Sequence, residues 1–236
     1  LVVQRNLSHR IDRIRIFEAS LCFNRDDSGF INQTNKIAGI VTGAVFPEQW
    51  GQINREVDFF DVKGDLERLL NREDITFSVG QHDSFHPGKV ASILIGDVTL
   101  GIVGELHPEL SQKYDLGANV VAFELNIDVL PESSVPDYLA YSKLPVVRRD
   151  LAVEIDLNTE VGGILNEIKE ETIQYLTGVT LFDIYTGEGV ADGKKSVALA
   201  VMFQDKEKTL TDEEVEKSVS LVLELLKQRF NATQRI

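Results

Sequence analysis

Residues 196–204 read Ser-Val-Ala-Leu-Ala-Val-Met-Phe-Gln, with large apolar side chains at 197, 199, 201 and 203 and smaller or polar ones between them. A period of two is the mark of a strand with one buried face. It decides the meaning of the run before it, Gly189-Val190-Ala191-Asp192-Gly193-Lys194-Lys195-Ser196, which has the look of a glycine-rich phosphate cradle. Such a cradle needs four residues between its glycines and a helix behind it, whose free N–H groups face the phosphate. Here three residues separate Gly189 from Gly193, and a strand follows. Leu181 to Tyr185 is also strand-like, so Thr186 to Gly193 is expected to be a hairpin loop that uses Gly and Asp for its turns.

The charge balance narrows the function. The 236 residues carry a net charge of −14, which opposes a surface that attracts nucleic acid or anionic membrane non-specifically; any RNA contact must be local. Cys22 is the only cysteine, which excludes a disulfide framework and a cysteine zinc site and suits a reducing compartment. No stretch approaches the roughly 20 apolar residues that cross a bilayer. The length suits two domains, and a start at Leu in what reads as mid-domain sequence suggests a part of something longer.

In the first half, strands are expected near 15–23, 36–45, 75–79, 90–95, 98–104 and 120–127, with a short helix opened by Pro108. Between them Phe59, Val62, Leu66 and Leu69/Leu70 recur at three and four residues, giving an amphipathic helix over 58–70. Gly64 inside it weakens the helix by roughly 1 kcal/mol relative to Ala, which suggests that it permits close packing. Residues 131–142, with two prolines and three serines, read as a linker. Beyond it come a strand at 149–156, a helix over 159–172, the hairpin at 179–204, a helix opened by the capping box Thr211-Asp212-Glu213-Glu214, and a short last strand at 232–236. The order βαββαβ is that of a ferredoxin-like fold, so the fold class is α+β: a mainly antiparallel sheet domain, then a ferredoxin-like one.

The stretches VDFFDVKGDLERLL, FHPGKVASILIG, LGIVGELHPEL, KLPVVRRDLAVEI, VTLFDIYTGEGVADGKKSVALAVMFQ and KTLTDEEVEKSV together resemble the C-terminal part of the β subunits of bacterial phenylalanyl-tRNA synthetases, in the same order and over nearly the whole chain. The resemblance implies a class II synthetase-like module without an active site over 1–131, a linker at 132–142, and a ferredoxin-fold anticodon-binding domain over 143–236. It also implies docking on a catalytic α subunit within an α2β2 heterotetramer, recognition of tRNA(Phe), and a cytoplasmic location without membrane attachment. ATP and Mg2+ would be used by the whole ligase through other regions, with no cofactor in this segment.

The residues agree with a silent module. Class II adenylation needs arginines beside the phosphates, yet after Arg72 the first half has none, and Gly101 to His107 places Glu105 where phosphate would be repelled. His82, His86, Glu105 and His107 have ligand chemistry, but His86-Pro87-Gly88 and His107-Pro108 read as loop corners that bond backbone carbonyls; no metal site is expected. In the second half, if 197, 199, 201 and 203 face the helices, then Ser196, Ala198, Ala200, Met202 and Gln204 face outward with Asp183, Tyr185, Ala152 and Glu154. On that flat face Tyr185 and Met202 are candidates for stacking on bases, and Arg148, Arg149, Lys194, Lys195, Lys206 and Lys208 for meeting phosphates. Against this, residues 143–236 hold 12 basic and 17 acidic residues, and Arg149-Asp150 has the form of a local ion pair. A stand-alone module that binds a protein or small ligand is the alternative.

Overall fold

The computed structural model describes residues 1–72, 74–117, 119–131 and 141–235. The chain divides into two compact units, Leu1–Ser134 and Val135–Ile236.

The first unit is a six-stranded antiparallel sheet in the order β1-β2-β6-β5-β4-β3, built from β1 (Ile14–Arg25), β2 (Ile31–Thr42), β3 (Ile75–Val79), β4 (Phe85–Ile95), β5 (Val98–Leu106) and β6 (Val121–Asn126). The periodic helix is α2 (Phe59–Leu70). Asp58 caps it: its carboxylate accepts from the N–H groups of Phe60 and Asp61 at 2.8 and 3.1 Å, and the Asp61 carboxylate accepts from Asp58 N–H at 2.9 Å. Val62 and Leu66 bury against Ile93, Leu100, Val103, Val121 and Leu125 of the sheet. Each such side chain contributes about 1.5–3 kcal/mol by leaving water. Two features differ from expectation. The opening run forms a helix, α1 (Val2–Ser8), which buries Val3 alone and so shows no stripe in the sequence. Gly64 is not a packing contact within the described residues: a Cβ there would meet no atom within 4 Å, because the position lines an open groove with Arg13, Arg15, Phe46, Phe60 and Arg68.

The second unit runs β7 (Val147–Asp156), α4 (Val161–Glu170), β8 (Leu176–Tyr185), β9 (Lys194–Phe203), α5 (Asp212–Phe230) and β10 (Thr233–Gln234). Its sheet order is β10-β7-β9-β8, all antiparallel, which with the βαββαβ order makes a ferredoxin-like fold. Val197, Leu199, Val201 and Phe203 are fully buried in a core with Val153 and Ile155 of β7, Ile164 and Ile168 of α4, and Val215, Val222 and Leu226 of α5. The capping box forms as the sequence implies, Thr211 Oγ1 accepting from Glu214 N–H at 3.3 Å and Glu214 from Thr211 N–H at 3.0 Å. Acidic residues fill the first turn of α5, with Lys227 and Arg229 in its last, the arrangement its dipole favours. Residues 181–204 are the expected hairpin of β8 and β9. The linker expected at 132–142 lies outside the described residues except for 141 and 142, as does Ile236 of the last strand. No helix among the described residues is long and apolar enough to cross a membrane.

Candidate nucleic-acid interface

Both helices of the second unit pack on one side of its sheet, and the strand register fixes what the other side carries. Directly opposed residues share a face. Val147, Arg149, Leu151, Val153 and Ile155 oppose Phe203, Val201, Leu199, Val197 and Lys195 on the helix side. On the open side Arg148, Asp150, Ala152, Glu154 and Asp156 oppose Met202, Ala200, Ala198, Ser196 and Lys194. The middle of this face is thus made of alanines and a serine, leaving a shallow floor.

Two long cationic side chains lie over that floor. Arg148 extends from β7 until its guanidinium carbon is 5.5 Å from the centre of the Phe182 ring on β8, and Asp150 holds it at 2.7 Å. Arg235, whose N–H donates to Ala152 C=O at 2.8 Å, reaches across to within 6.0 Å of the centre of the Tyr185 ring. The glycines of the hairpin loop serve this arrangement. A Cβ on Gly187 would fall 2.3 Å from the Tyr185 hydroxyl, and one on Gly189 would fall 3.0 Å from Arg235 Nη2. Gly189 also has φ +85°, a left-handed conformation that glycine adopts without strain. The glycine-rich run therefore closes a hairpin over the Tyr185 end of the face.

The eight candidate residues of the sequence separate into three groups. Arg148, Tyr185, Lys194 and Met202 share the open face. Arg149 and Lys195 lie on the helix side: Arg149 pairs with Asp212 at 2.9 Å and Glu216 at 3.3 Å on α5, and Lys195 donates to Thr159 C=O at 2.7 Å. It is Arg148, rather than Arg149, that pairs with Asp150. Lys206 and Lys208 belong to the exposed loop between β9 and α5, where Lys208 bonds Glu214. That bond raises the Lys208 pKa, and, with the Thr211 N–H next in weight, depresses the Glu214 carboxyl to about 2. Gln204, expected on the open face, donates to Leu144 C=O at 2.6 Å. The sequence pattern does not single out Phe182 and Arg235. Strict alternation puts Phe182 on the side opposite Asp183, but a bulge between Leu181 and Asp183 sets it beside Arg148. Arg235 acquires its place from the register of a two-residue strand, which carries no pattern of its own.

Two family models cover most of the chain: the phenylalanyl tRNA synthetase beta chain CLM domain matches residues 1–127, and the ferredoxin-fold anticodon binding domain matches residues 142–235. The chain belongs to the phenylalanyl tRNA synthetase beta chain family. Among its relatives are phenylalanine–tRNA ligase beta subunits of Nitrosospira multiformis, 41% identical over 99% of this chain and 29% of that protein, and of Methylococcus capsulatus, 40% identical over 98% of this chain and 30% of that protein. The corresponding subunit of Dechloromonas aromatica is 39% identical over the same shares. The chain thus spans under a third of the length of these relatives.

In the synthetase-family unit, the histidines serve as turn acceptors. The Nδ1 atoms of His82, His86 and His107 accept from the N–H groups of Ser84, Gly88 and Glu109 at 3.1, 3.0 and 3.3 Å. Each accepts from a backbone N–H two residues along a turn, as Asn and Asp do, rather than bonding the carbonyls expected for His86 and His107. His107 in this way caps the short helix α3 (Pro108–Lys113). Glu105 pairs with Lys89 at 2.7 Å.

Proposed function

We propose that this chain is the C-terminal segment of a phenylalanine–tRNA ligase β subunit, that it performs no chemistry itself, and that its second unit binds the anticodon end of tRNA(Phe). In this reading residues 1–131 form a synthetase-like module that docks on the catalytic α subunit of an α2β2 tetramer, 132–142 a linker, and 143–236 the anticodon-binding domain. ATP and Mg2+ act in other regions of the ligase, in the cytoplasm.

The observation that carries the reading is the open face: alanines and a serine make its floor, and Phe182, Tyr185, Arg148 and Arg235 lie along it. A flat floor edged by aromatic rings and guanidinium groups suits unpaired loop bases, which are recognised by stacking and by bonds to their edges, with phosphates held at the rim. The excess of acidic over basic residues in 143–236 supports selective rather than general RNA binding, since backbone attraction alone would be weak. Glu154 and Asp183 on the face are acceptors for base amino groups.

The test is binding of tRNA(Phe), and of the same tRNA with its anticodon replaced, to the complete two-subunit ligase over a range of salt. The reading requires a preference for the natural anticodon that persists as salt rises. Equal binding of the two at every salt concentration refutes it.

A further inference from the structure

The bulge in β8 does more than interrupt pairing. Thr180 and Leu181 oppose Ala200 and Leu199 in register, Asp183 opposes Ala198, and Phe182 is the extra residue between them. Two successive residues therefore stand against one, and the added one is aromatic. Phe182 is 51% exposed and belongs to no core cluster, so burial does not account for it. Its ring is nonetheless placed: the Arg148 guanidinium, fixed by Asp150 from the second strand over, sits 5.5 Å from its centre. Tyr185 and Arg235 repeat the pattern three residues along the same strand. At about 3.3 Å per residue the two rings are roughly 10 Å apart along the strand, too far for one base to stack on both.

We infer that Phe182 and Arg148 form a second base-stacking position, distinct from that of Tyr185, which takes a further unpaired nucleobase of the same RNA. This rests on the reading of the open face as RNA-binding. The guanidinium marks the side of the ring that is accessible and attracts positive charge and π surfaces. An incoming base takes the guanidinium's place on the ring, and Arg148, still tethered near Asp150, meets that nucleotide's phosphate. Phe182 has no polar atom with which to tell one base from another, so this position adds affinity and leaves discrimination to other contacts.

The experiment uses the complete two-subunit ligase with Phe182→Ala, Phe182→Trp and Ala198→Glu, each titrated with tRNA(Phe) and with an anticodon-substituted tRNA. Phe182→Ala is expected to weaken both by a similar factor, about 5- to 150-fold, as loss of one stacked base does. The ratio between the two tRNAs stays as in the wild type, and Phe182→Trp, which keeps a stacking surface, binds within a few-fold of wild type. If Ala198→Glu loses binding while Phe182→Ala keeps it, the face binds RNA but Phe182 is no part of the site. Equal loss in Phe182→Ala and Phe182→Trp would mean that the residue only shapes the strand, and also overturns the inference. Wild-type binding by Ala198→Glu overturns the RNA reading of the face and this inference with it.

Discussion

Arg148 and Arg149 are neighbours in the chain on opposite faces of their sheet, and replacing each by alanine tells the faces apart. Arg149 reaches α5, where its side chain is 32% exposed against Asp212 at 94% and Glu216 at 64%. Pairs this exposed are worth about 0.5–1 kcal/mol in total. For a unit of this size that corresponds to a fall of about 2–8 °C in the midpoint of thermal unfolding. Arg149→Ala should show that fall and bind tRNA(Phe) as the wild type does. Arg148 is 58% exposed and its partner Asp150 54%, so its ion pair contributes little to stability. Its removal takes a cation from the open face and leaves Asp150 uncompensated there, which should weaken tRNA binding by about 1–3 kcal/mol, or roughly 5- to 150-fold. Thermal unfolding followed by circular dichroism and equilibrium tRNA binding to the complete ligase give the two readings. If Arg149→Ala weakens tRNA binding as much as Arg148→Ala and leaves the melting temperature unchanged, the assignment of faces is wrong.

Other consequences follow from single positions. Gly64→Ala should stabilise the first unit by about 0.5–1 kcal/mol in denaturant unfolding, because alanine favours the helix and its methyl meets nothing within 4 Å; a loss of stability would refute the open groove. The Glu214 carboxyl is depressed from its ordinary 4.5 to about 2, chiefly by Lys208 and then by Thr211 N–H. A depressed carboxylate stabilises the fold above pH 4.5 and loses that contribution as pH falls towards 2, so Glu214→Gln should flatten the decline of the unfolding midpoint across this window. An identical decline in the variant would show that other carboxylates set it.

Much of the second unit was legible because its signals are local. The alternation at 197–203 names the buried face of β9, and Thr211 with Glu214 names the start of α5. The open floor follows from the same alternation. The candidate site on that floor was less legible, for three distinct reasons. The opposite placement of Arg148 and Arg149 follows from a period of two, but a pair of adjacent cations read as one basic patch conceals it. The bulge at Phe182 depends on how β8 meets β9, which neither strand encodes alone. Arg235 owes its position to β10, whose two residues are too short for any pattern. In the first unit α1 has no sequence signature because a single buried valine makes no stripe. Gly64 suggested a close neighbour that the described residues do not supply.

The central claim is that the open face of the second unit reads the anticodon. Ala198 lies at its centre, opposite Ala152 and Asp183, and its replacement by glutamate adds a carboxylate to those of Asp150, Glu154 and Asp183, facing any incoming phosphate. The most direct measurement is the ratio of affinities of the complete ligase for tRNA(Phe) and an anticodon-substituted tRNA, in wild type and in Ala198→Glu. The account predicts that the wild type prefers tRNA(Phe) and that Ala198→Glu brings the ratio to one while its unfolding transition is retained. A folded Ala198→Glu ligase that keeps the wild-type ratio would contradict it.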